Sequence, residues 1–490
     1  MAWWRAFAQP LRYAALIAGG VPVLAFPAPN LEYLGWFGLV PGLLLMHAAA
    51  DRREAAIRGW WFGAGFLLAA LYWLAPNLGP GLLLIAVLLG ALWSCVGAAA
   101  WSLLRPPVTA WRALAALAVV PSCWVTVDWV RSWQGFGGPW AVLGASQWQH
   151  PAVLALAAAG GIWLVSFALV AANTGILIAL VASRNWVRLL GAAAALAAIA
   201  AGPAGYALTP AEPAVRQVKI ALVQPGVEQN PLLRVDASQR ITAGLRGQDA
   251  DLIVWGESSV AYDLTTDRAL RDQIRALAAA SGAQILLNQD SVSPGGKKSK
   301  VALLVGGNGI DGRYVKTRLV PFGEYIPFRQ QLSWLTSISK AAPQDMLPGA
   351  GAHVLTVTPP GSPPLKAGVL ICFESAFPDM SRVDAERGAQ LIIYQTSDST
   401  FQGSWALAQH AALGAVRAAE TGRPVVQAAL TGDSAAFDSR GRLLAWAGQD
   451  FRGVTGVRLS LPPASAQTPY DRFGDYLPWT AVAIAGIAAA

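Results

Sequence analysis

Gly368-Val369-Leu370-Ile371-Cys372-Phe373-Glu374-Ser375 is an apolar run that ends in a thiol and a carboxylate. A short continuous apolar stretch closed by polar residues fits a strand buried on both faces. A second run upstream ends in Trp255-Gly256-Glu257-Ser258-Ser259, and Lys316 opens Lys316-Thr317-Arg318-Leu319-Val320-Pro321-Phe322-Gly323-Glu324-Tyr325. A carboxylate, an amine and a thiol, each near the end of its own strand-like segment, are the parts of a covalent acyl-transfer site. Residue types alone do not single out this set, because any globular domain holds a Glu, a Lys and a Cys.

The rest of the chain is membrane-like. Of its 490 residues 54% are hydrophobic and 13% charged, and the mean hydropathy of +0.43 exceeds that of an ordinary soluble enzyme. Residues 1–210 hold ten arginines, four acids and no lysine; the other 50 charged residues follow Pro210. A formal charge of +8 comes without any Lys/Arg-rich block, so no nucleic-acid partner is expected. Three cysteines cannot build a disulfide framework, and Cys95 and Cys123 sit in apolar stretches as small core residues. The histidines at 47, 150, 353 and 410 show no ligand spacing, so no metal is expected, and His410 is expected to pack or orient a helix.

Seven apolar segments, at roughly 11–28, 31–50, 57–75, 80–104, 112–130, 152–182 and 187–208, are each near the ~20 residues that cross a bilayer. An eighth, shorter one runs from about Leu477 to Ala490. No charge occurs between Arg58 and Arg105. Arg5/Arg12, Arg52/Arg53/Arg58, Arg105/Arg112 and Arg184/Arg188 flank alternate connections, which predicts a cytoplasmic N-terminus and an extracytoplasmic location for residues 211–475. Segment one lacks a small-x-small cleavage site and is read as a retained helix. The aromatic loop Trp133-Gln134-Gly135-Phe136-Gly137-Gly138-Pro139-Trp140 reads as an interfacial anchor or as a loop admitting lipid.

From Lys219 the pattern changes to short β-rich runs alternating with polar helical stretches. Strands are predicted at Lys219–Gln224, Asp251–Trp255, Gln284–Asn288, Val301–Val305, Arg313–Val320, Ala367–Cys372, Leu391–Gln395, Pro424–Ala429, Ser434–Asp438 and Gly453–Leu459. Helices are predicted at roughly 236–246, 267–281, 378–388 and 405–421. This is an α+β pattern of sheets covered by helices. Pro462, Pro463 and Pro469 mark a linker. The organisation expected is a membrane domain over 1–210, a catalytic domain over 211–465, and a linker with a last helix over 466–490.

The words around Glu257, Lys316 and Cys372 resemble the three catalytic motifs of the nitrilase superfamily. With seven spans before that domain and one after it, the chain resembles the membrane-embedded branch of that superfamily, the apolipoprotein N-acyltransferases. Gln147, the Gln409-His410 and Arg417-Ala418-Ala419-Glu420-Thr421-Gly422-Arg423-Pro424 words, and Thr468-Pro469-Tyr470-Asp471-Arg472-Phe473-Gly474-Asp475 extend the likeness over nearly the whole chain. The resemblance implies an αββα sandwich on the outer face of the bacterial cytoplasmic membrane, carried by an eight-helix bundle. It also implies transfer of an acyl chain from a phospholipid, through a thioester on Cys372, to the amine of a diacylglyceryl-cysteine in an apolipoprotein, by a monomer without cofactor or metal. By that resemblance Glu257 is the general base and Lys316 the oxyanion stabiliser with the Phe373 N–H. Glu324 and Glu374 are supporting acids that position Lys316 or the acceptor amine; for Glu324 the alternative is a surface carboxylate near a turn.

Four departures stand out: Gly256 where many members have Pro, Phe373 where Tyr is common, Ser397-Asp398-Ser399-Thr400-Phe401 in place of Asn-Asp-Ala-Trp-Phe, and Leu430-Thr431-Gly432 in place of an Asn-rich turn. Two other functions compete. One is a membrane-tethered amidase using water as acceptor, for which a single anchor would suffice. The other is a non-catalytic membrane scaffold for a lipid-modifying partner, which would not require Glu257, Lys316 and Cys372.

Overall fold

The computed structural model describes residues 2–210, 212–332, 342 and 344–489, which divide into two compact units. One comprises residues 1–148, 152–209 and 475–490; the other comprises 149–151 and 210–474.

In the first unit, among the described residues, four helices are long and apolar enough to cross a membrane: Gly81–Leu104, Ala110–Arg131, Pro151–Val181 and Asn185–Leu208. Arg52–Ala70 continues into Tyr72–Leu78 across a 61° bend and passes the same test as a broken pair. The Asp51 side chain caps Arg52–Ala70 by accepting from Glu54 N, and Thr109 caps Ala110–Arg131 in the same way. The apolar stretch at 31–50 holds one shorter apolar helix, Leu34–His47, interrupted at Gly38 and Leu39 between Leu34–Phe37 and Val40–His47. Buried Asn173 explains how the break survives, because its amide donates to Gly35 O at 2.9 Å and accepts from Leu39 N at 2.9 Å. Backbone groups released from a helix in an apolar environment need such partners. The long Pro151–Val181 helix is kinked at Gly160 and Gly161, the latter with φ +67°. Its neighbour Asn185–Leu208 approaches so closely that a Cβ on Gly175 would lie 2.6 Å from Gly191 O, the small-residue contact typical of membrane helices. Asp128 and Arg131 form a buried ion pair at 3.0 Å, and Arg131 also holds Trp140 O at 3.1 Å, tying down the aromatic loop.

The second unit is built on two six-stranded sheets. The first begins with β1 (Arg216–Gln224), β2 (Leu252–Trp255), β3 (Gln284–Val292), β4 (Lys298–Gly306) and β5 (Gly309–Val315). The second contains β6 (Val354–Val357), β7 (Leu365–Ile371), β8 (Leu391–Thr396), β9 (Val425–Ala429), β10 (Ser434–Phe437) and β11 (Leu443–Ala447). The last strand, β12 (Gly453–Leu461), returns to the first sheet antiparallel to β1. The orders are β12-β1-β2-β3-β4-β5 and β11-β10-β9-β8-β7-β6, with β1-β2-β3 and β7-β8-β9 parallel. The sheets face each other through β1 against β9 and β4 against β7. Helices Pro231–Ala243 and Arg268–Ser281 cover one outer face, and Pro378–Glu386 and Ala406–Thr421 the other, giving an α-β-β-α stack.

The parallel strands are almost wholly buried, as continuous apolar runs require. Gln395 crosses between the sheets to donate to Trp255 O at 2.8 Å. Helix starts follow local chemistry: Asn230 accepts from Leu232 and Leu233 N ahead of Pro231, and Asp267 accepts from Leu270 N. The first of these caps moves the start of the helix expected at 236–246 back to Pro231. Thr468 and Asp471 form a capping box that starts a short helix, Pro469–Phe473, within the proline-rich stretch.

Candidate active site

In parallel strand pairs the chain emerges at one edge, and the loops beyond the carboxyl ends of the strands gather side chains into a crevice. Glu257 follows β2, Cys372 follows β7, and Asp398 follows β8. Lys316 was expected inside a strand over Arg313–Val320, but β5 ends at Val315 and Lys316 begins the departure from the sheet. The cause is Glu374. Its Oε1 accepts from Thr317 N at 2.6 Å, Arg318 N at 2.9 Å and the Tyr314 hydroxyl at 2.8 Å, while Oε2 accepts from Ile371 N at 2.8 Å. One fully buried carboxylate thus pins the chain after Lys316 to the turn that carries Cys372.

The structure brings Glu257, Lys316 and Cys372 together. The Lys316 ammonium lies 3.2 Å from Glu257 Oε1 and 2.7 Å from Glu324 Oε1, and the Cys372 thiol is close enough to feel the charges of both Glu257 and Lys316. Glu324 is buried rather than on the surface; its second oxygen accepts from Val320 N at 2.9 Å, which fixes the carboxylate on its own turn. Glu374 touches the main chain beside Lys316, not its ammonium. Phe373 is buried and packs edge-on against Phe377, with ring centroids 4.9 Å apart.

The protonation states follow from charge and burial. Burial pushes the Cys372 thiol well above its ordinary range and the Glu257 carboxylate adds to this, while Lys316 opposes it. Burial would lower the Lys316 ammonium, but Glu257 and Glu324 outweigh it and hold the pKa well above the usual lysine value. Burial would likewise raise Glu257, but Lys316 and then Lys300 pull it below its ordinary value. The resting site is therefore a neutral thiol beside an ionised carboxylate and an ammonium. A carboxylate base beside a protonated nucleophile, next to a fixed cation, can generate a thiolate and receive an oxyanion.

Two backbone features shape the site. Cys372 has φ +52°, Ser258 φ +55° and Asp398 φ +53°. Non-glycine residues in this left-handed region cost about 1–3 kcal/mol each and concentrate where geometry serves function. At Gly256 the two sheets touch: a Cβ there would lie 2.3 Å from Leu430 N and 2.8 Å from Thr396 O. Gly256 and the Leu430-Thr431-Gly432 turn are two of the sequence departures, and the structure shows them in direct contact.

Three groups here were not assigned to the site from sequence: Lys300, His410, expected only to pack or orient a helix, and Asp398, noted only within the departing segment 397–401. Lys300, reaching in from β4, sits 2.7 Å from Asp290 and also contacts Ser258 Oγ. In sequence it closes the polar start of β4, Lys298-Ser299-Lys300, just ahead of the apolar run that predicts the strand. His410 Nδ1 lies 3.0 Å from Asp398 Oδ1, and its Nε2 lies 3.1 Å from Cys372 O and 2.8 Å from Ser375 Oγ. Asp398 stands two residues past the end of β8, at the same edge as Cys372, which was a legible signal. The ligand-type atoms of Cys372, Asp398 and His410 fall within 4.8 Å of one another. Both nitrogens of His410 already face oxygen acceptors, and Lys316 adds positive charge at Cys372, so the set is built for hydrogen bonding rather than for a cation.

Comparison with known proteins agrees with this architecture. Residues 18–175 match the apolipoprotein N-acyltransferase N-terminal domain, and residues 213–466 match the carbon-nitrogen hydrolase family. An apolipoprotein N-acyltransferase of Azotobacter vinelandii is 31% identical over 98% of this chain and 93% of its own length. One from Geobacter metallireducens is 28% identical over 97% and 94%. Among solved structures, Saccharomyces cerevisiae Nit3, a member of branch 10 of the nitrilase superfamily, is 17% identical and aligns over 51% of this chain and 93% of that one, with a TM-score of 0.37. With both halves matched in order and relatives aligned along nearly its full length, the chain belongs to the apolipoprotein N-acyltransferase family.

Proposed function

We propose that this protein transfers a fatty acyl chain from a membrane phospholipid to the N-terminal amine of a diacylglyceryl-cysteine in an apolipoprotein, through a thioester on Cys372. The observation that carries this reading is the buried Lys316 ammonium paired with both Glu257 and Glu324, with the Cys372 thiol within the reach of those charges.

Glu257 removes the thiol proton as Cys372 Sγ attacks the ester carbonyl of the donor. The negative charge moves to the carbonyl oxygen, where Lys316 and the Phe373 N–H receive it. Collapse breaks the ester C–O bond, and Glu257 returns the proton to the departing lysophospholipid alkoxide. In the second half, Glu257 takes a proton from the acceptor amine as it attacks the thioester. The C–S bond breaks and the proton passes to the Cys372 sulfur. Splitting the transfer makes each step easier, because an amine attacks a thioester more readily than an oxygen ester. Glu324 keeps Lys316 charged and in place, and Glu374 sets the spacing between the two catalytic segments. No metal or cofactor enters these steps.

We place the catalytic domain, residues 211–465, on the extracytoplasmic face of the bacterial cytoplasmic membrane, between a membrane domain over 1–210 and a linker and last helix over 466–490. The alternating arginine-rich connections support that orientation. Eight spans result when the four long helices and the bent pair are joined by the Ala2–Gly20 helix and the shorter apolar helices Leu34–His47 and Tyr476–Ala488. The working unit is a monomer.

The test is product identity. Purified protein in detergent is given a phospholipid and a diacylglyceryl lipopeptide, with and without a blocked α-amine. Transfer predicts one added acyl mass on the free-amine peptide and none on the blocked peptide. Release of free fatty acid at the same rate regardless of peptide would instead identify an amidase-like hydrolase, and no turnover of any phospholipid would favour the scaffold.

A further inference from the structure

We propose that His410, held by Asp398, is a positioning residue for the oxyanion hole and acts on the Phe373 N–H through the Cys372–Phe373 peptide unit. This rests on the thioester chemistry proposed above.

The charge state of His410 follows from its partners. Its Nε2 lies 2.8 Å from Ser375 Oγ, a hydroxyl that can accept or donate, and 3.1 Å from Cys372 O, which only accepts, so the hydrogen bond to the carbonyl puts a hydrogen on Nε2 that the two oxygens share. Its Nδ1 lies 3.0 and 3.2 Å from the two oxygens of the Asp398 carboxylate, so Nδ1 carries one as well. A ring with both hydrogens is an imidazolium. Burial opposes that charge, but Asp398 outweighs it and the pKa is raised. The side chains of His410 and Asp398 are 4% and 3% exposed, so water does not compete for these contacts.

A peptide unit is planar and trans, so its C=O and N–H point in opposite directions. Anchoring Cys372 O on a rigid, buried ring therefore aims the Phe373 N–H away from His410. A cation donating to the carbonyl also polarises the amide and makes its N–H a stronger donor. The backbone at this point needs holding, since Cys372 is a non-glycine residue at φ +52°. The same helix supplies a second anchor farther along the turn: Arg417 donates to Ser375 O and Ala376 O, both at 3.2 Å. Arg417 secures the end of the turn, whereas His410 holds the peptide whose N–H the proposed mechanism assigns to the oxyanion.

The experiment compares wild type, His410→Leu, His410→Gln and Asp398→Asn as full-length protein in detergent. Three quantities are read: acyl-enzyme formation from a phospholipid, alkylation of Cys372 by iodoacetamide, and the infrared carbonyl band of a 13C-labelled thioester. Alkylation uses the thiol and Glu257 but develops no oxyanion, so it separates this role from a general loss of structure. We expect His410→Leu to slow acylation about 10–100-fold, with alkylation within twofold and the thioester band moved to higher frequency. His410→Gln, which restores an N–H donor near the Nε2 position, should recover most of the rate and the band. Acylation and alkylation falling together, or a band unmoved in His410→Leu, overturns the proposal. If His410→Leu shows no cooperative melting, Asp398→Asn decides: an upward band shift with unchanged alkylation supports the role, and an unmoved band overturns it. Failure of wild type to form any thioester overturns the parent reading and this proposal with it, whereas a wild-type thioester with unaffected variants overturns this proposal alone.

Discussion

Asp384 makes the stability of the catalytic unit depend on pH in an unusual direction. It lies on the Pro378–Glu386 helix against Gly368 of β7, where a Cβ on the glycine would come within 2.6 Å of the aspartate Cβ. Both carboxylate oxygens are buried, and neither has a hydrogen-bond partner among the described residues. Burial, with Glu374 adding to it and Arg387 opposing, pushes its pKa up from 3.8 to about 8. The folded state therefore holds a proton that the unfolded chain has released. For such a group, stability is fully present below pH 3.8 and is lost as pH rises through 8. Over pH 5 to 8 the loss amounts to about 3–4 kcal/mol, taking 1.36 kcal/mol per pKa unit. Asp384→Asn keeps the shape of the neutral acid and cannot ionise, so its advantage over wild type should grow by that amount between pH 5 and pH 8. In thermal melts followed by tryptophan fluorescence in detergent, this corresponds to a gap widening by roughly 6–15 °C. Groups common to both proteins cancel in the comparison. A gap that stays constant with pH, or widens toward acid, would refute the reasoning.

Three further outcomes are expected. Lys300→Met removes a cation that holds the Glu257 pKa down, so Glu257 should protonate at higher pH and the acidic limb of the acylation profile should move upward; an unmoved limb would separate Lys300 from the base. Gly256→Ala forces a Cβ against main-chain atoms of Leu430, Ala429 and Thr396, which cannot swing aside; a stability loss of about 1–3 kcal/mol in denaturant titration is expected, with slower acylation as Glu257 shifts. Ser293→Cys in the β3–β4 turn should react with a membrane-impermeant thiol reagent added outside intact spheroplasts, and labelling only after lysis would reverse the proposed orientation.

The parallel strands around the site were legible because a strand buried on both faces must be continuously apolar, as Leu252–Trp255 and residues 367–371 of β7 are. Edge strands carry no such signature. Val354–Val357 and Leu443–Ala447, at opposite edges of the second sheet, went unread because each has a partly exposed face. In the membrane unit, hydropathy reports how apolar 31–50 is but not that Asn173, more than 130 residues away, stabilises a break within it. Glu257, Lys316 and Cys372 could be picked out because each sits in a recognisable motif. Lys300 and His410 could not be placed by the same means: one is a cation in a strand and the other a lone histidine on a helix, and only the fold brings them to the site. Glu374, expected to position Lys316 or the acceptor amine, reaches the chain beside Lys316 by three hydrogen bonds from Tyr314, Thr317 and Arg318, which no local word of sequence encodes, and adds a fourth, local one from Ile371.

The most direct measurement is the mass of the protein and of its Cys372 peptide after incubation with a phospholipid of defined acyl chains, beside Cys372→Ala. The proposed chemistry predicts one acyl mass on Cys372, absent from the variant, cleaved by neutral hydroxylamine and discharged by a diacylated lipopeptide with a free amine. An acyl-transferring wild-type protein that never carries the group on Cys372, or a Cys372→Ala variant that transfers equally well, would contradict it.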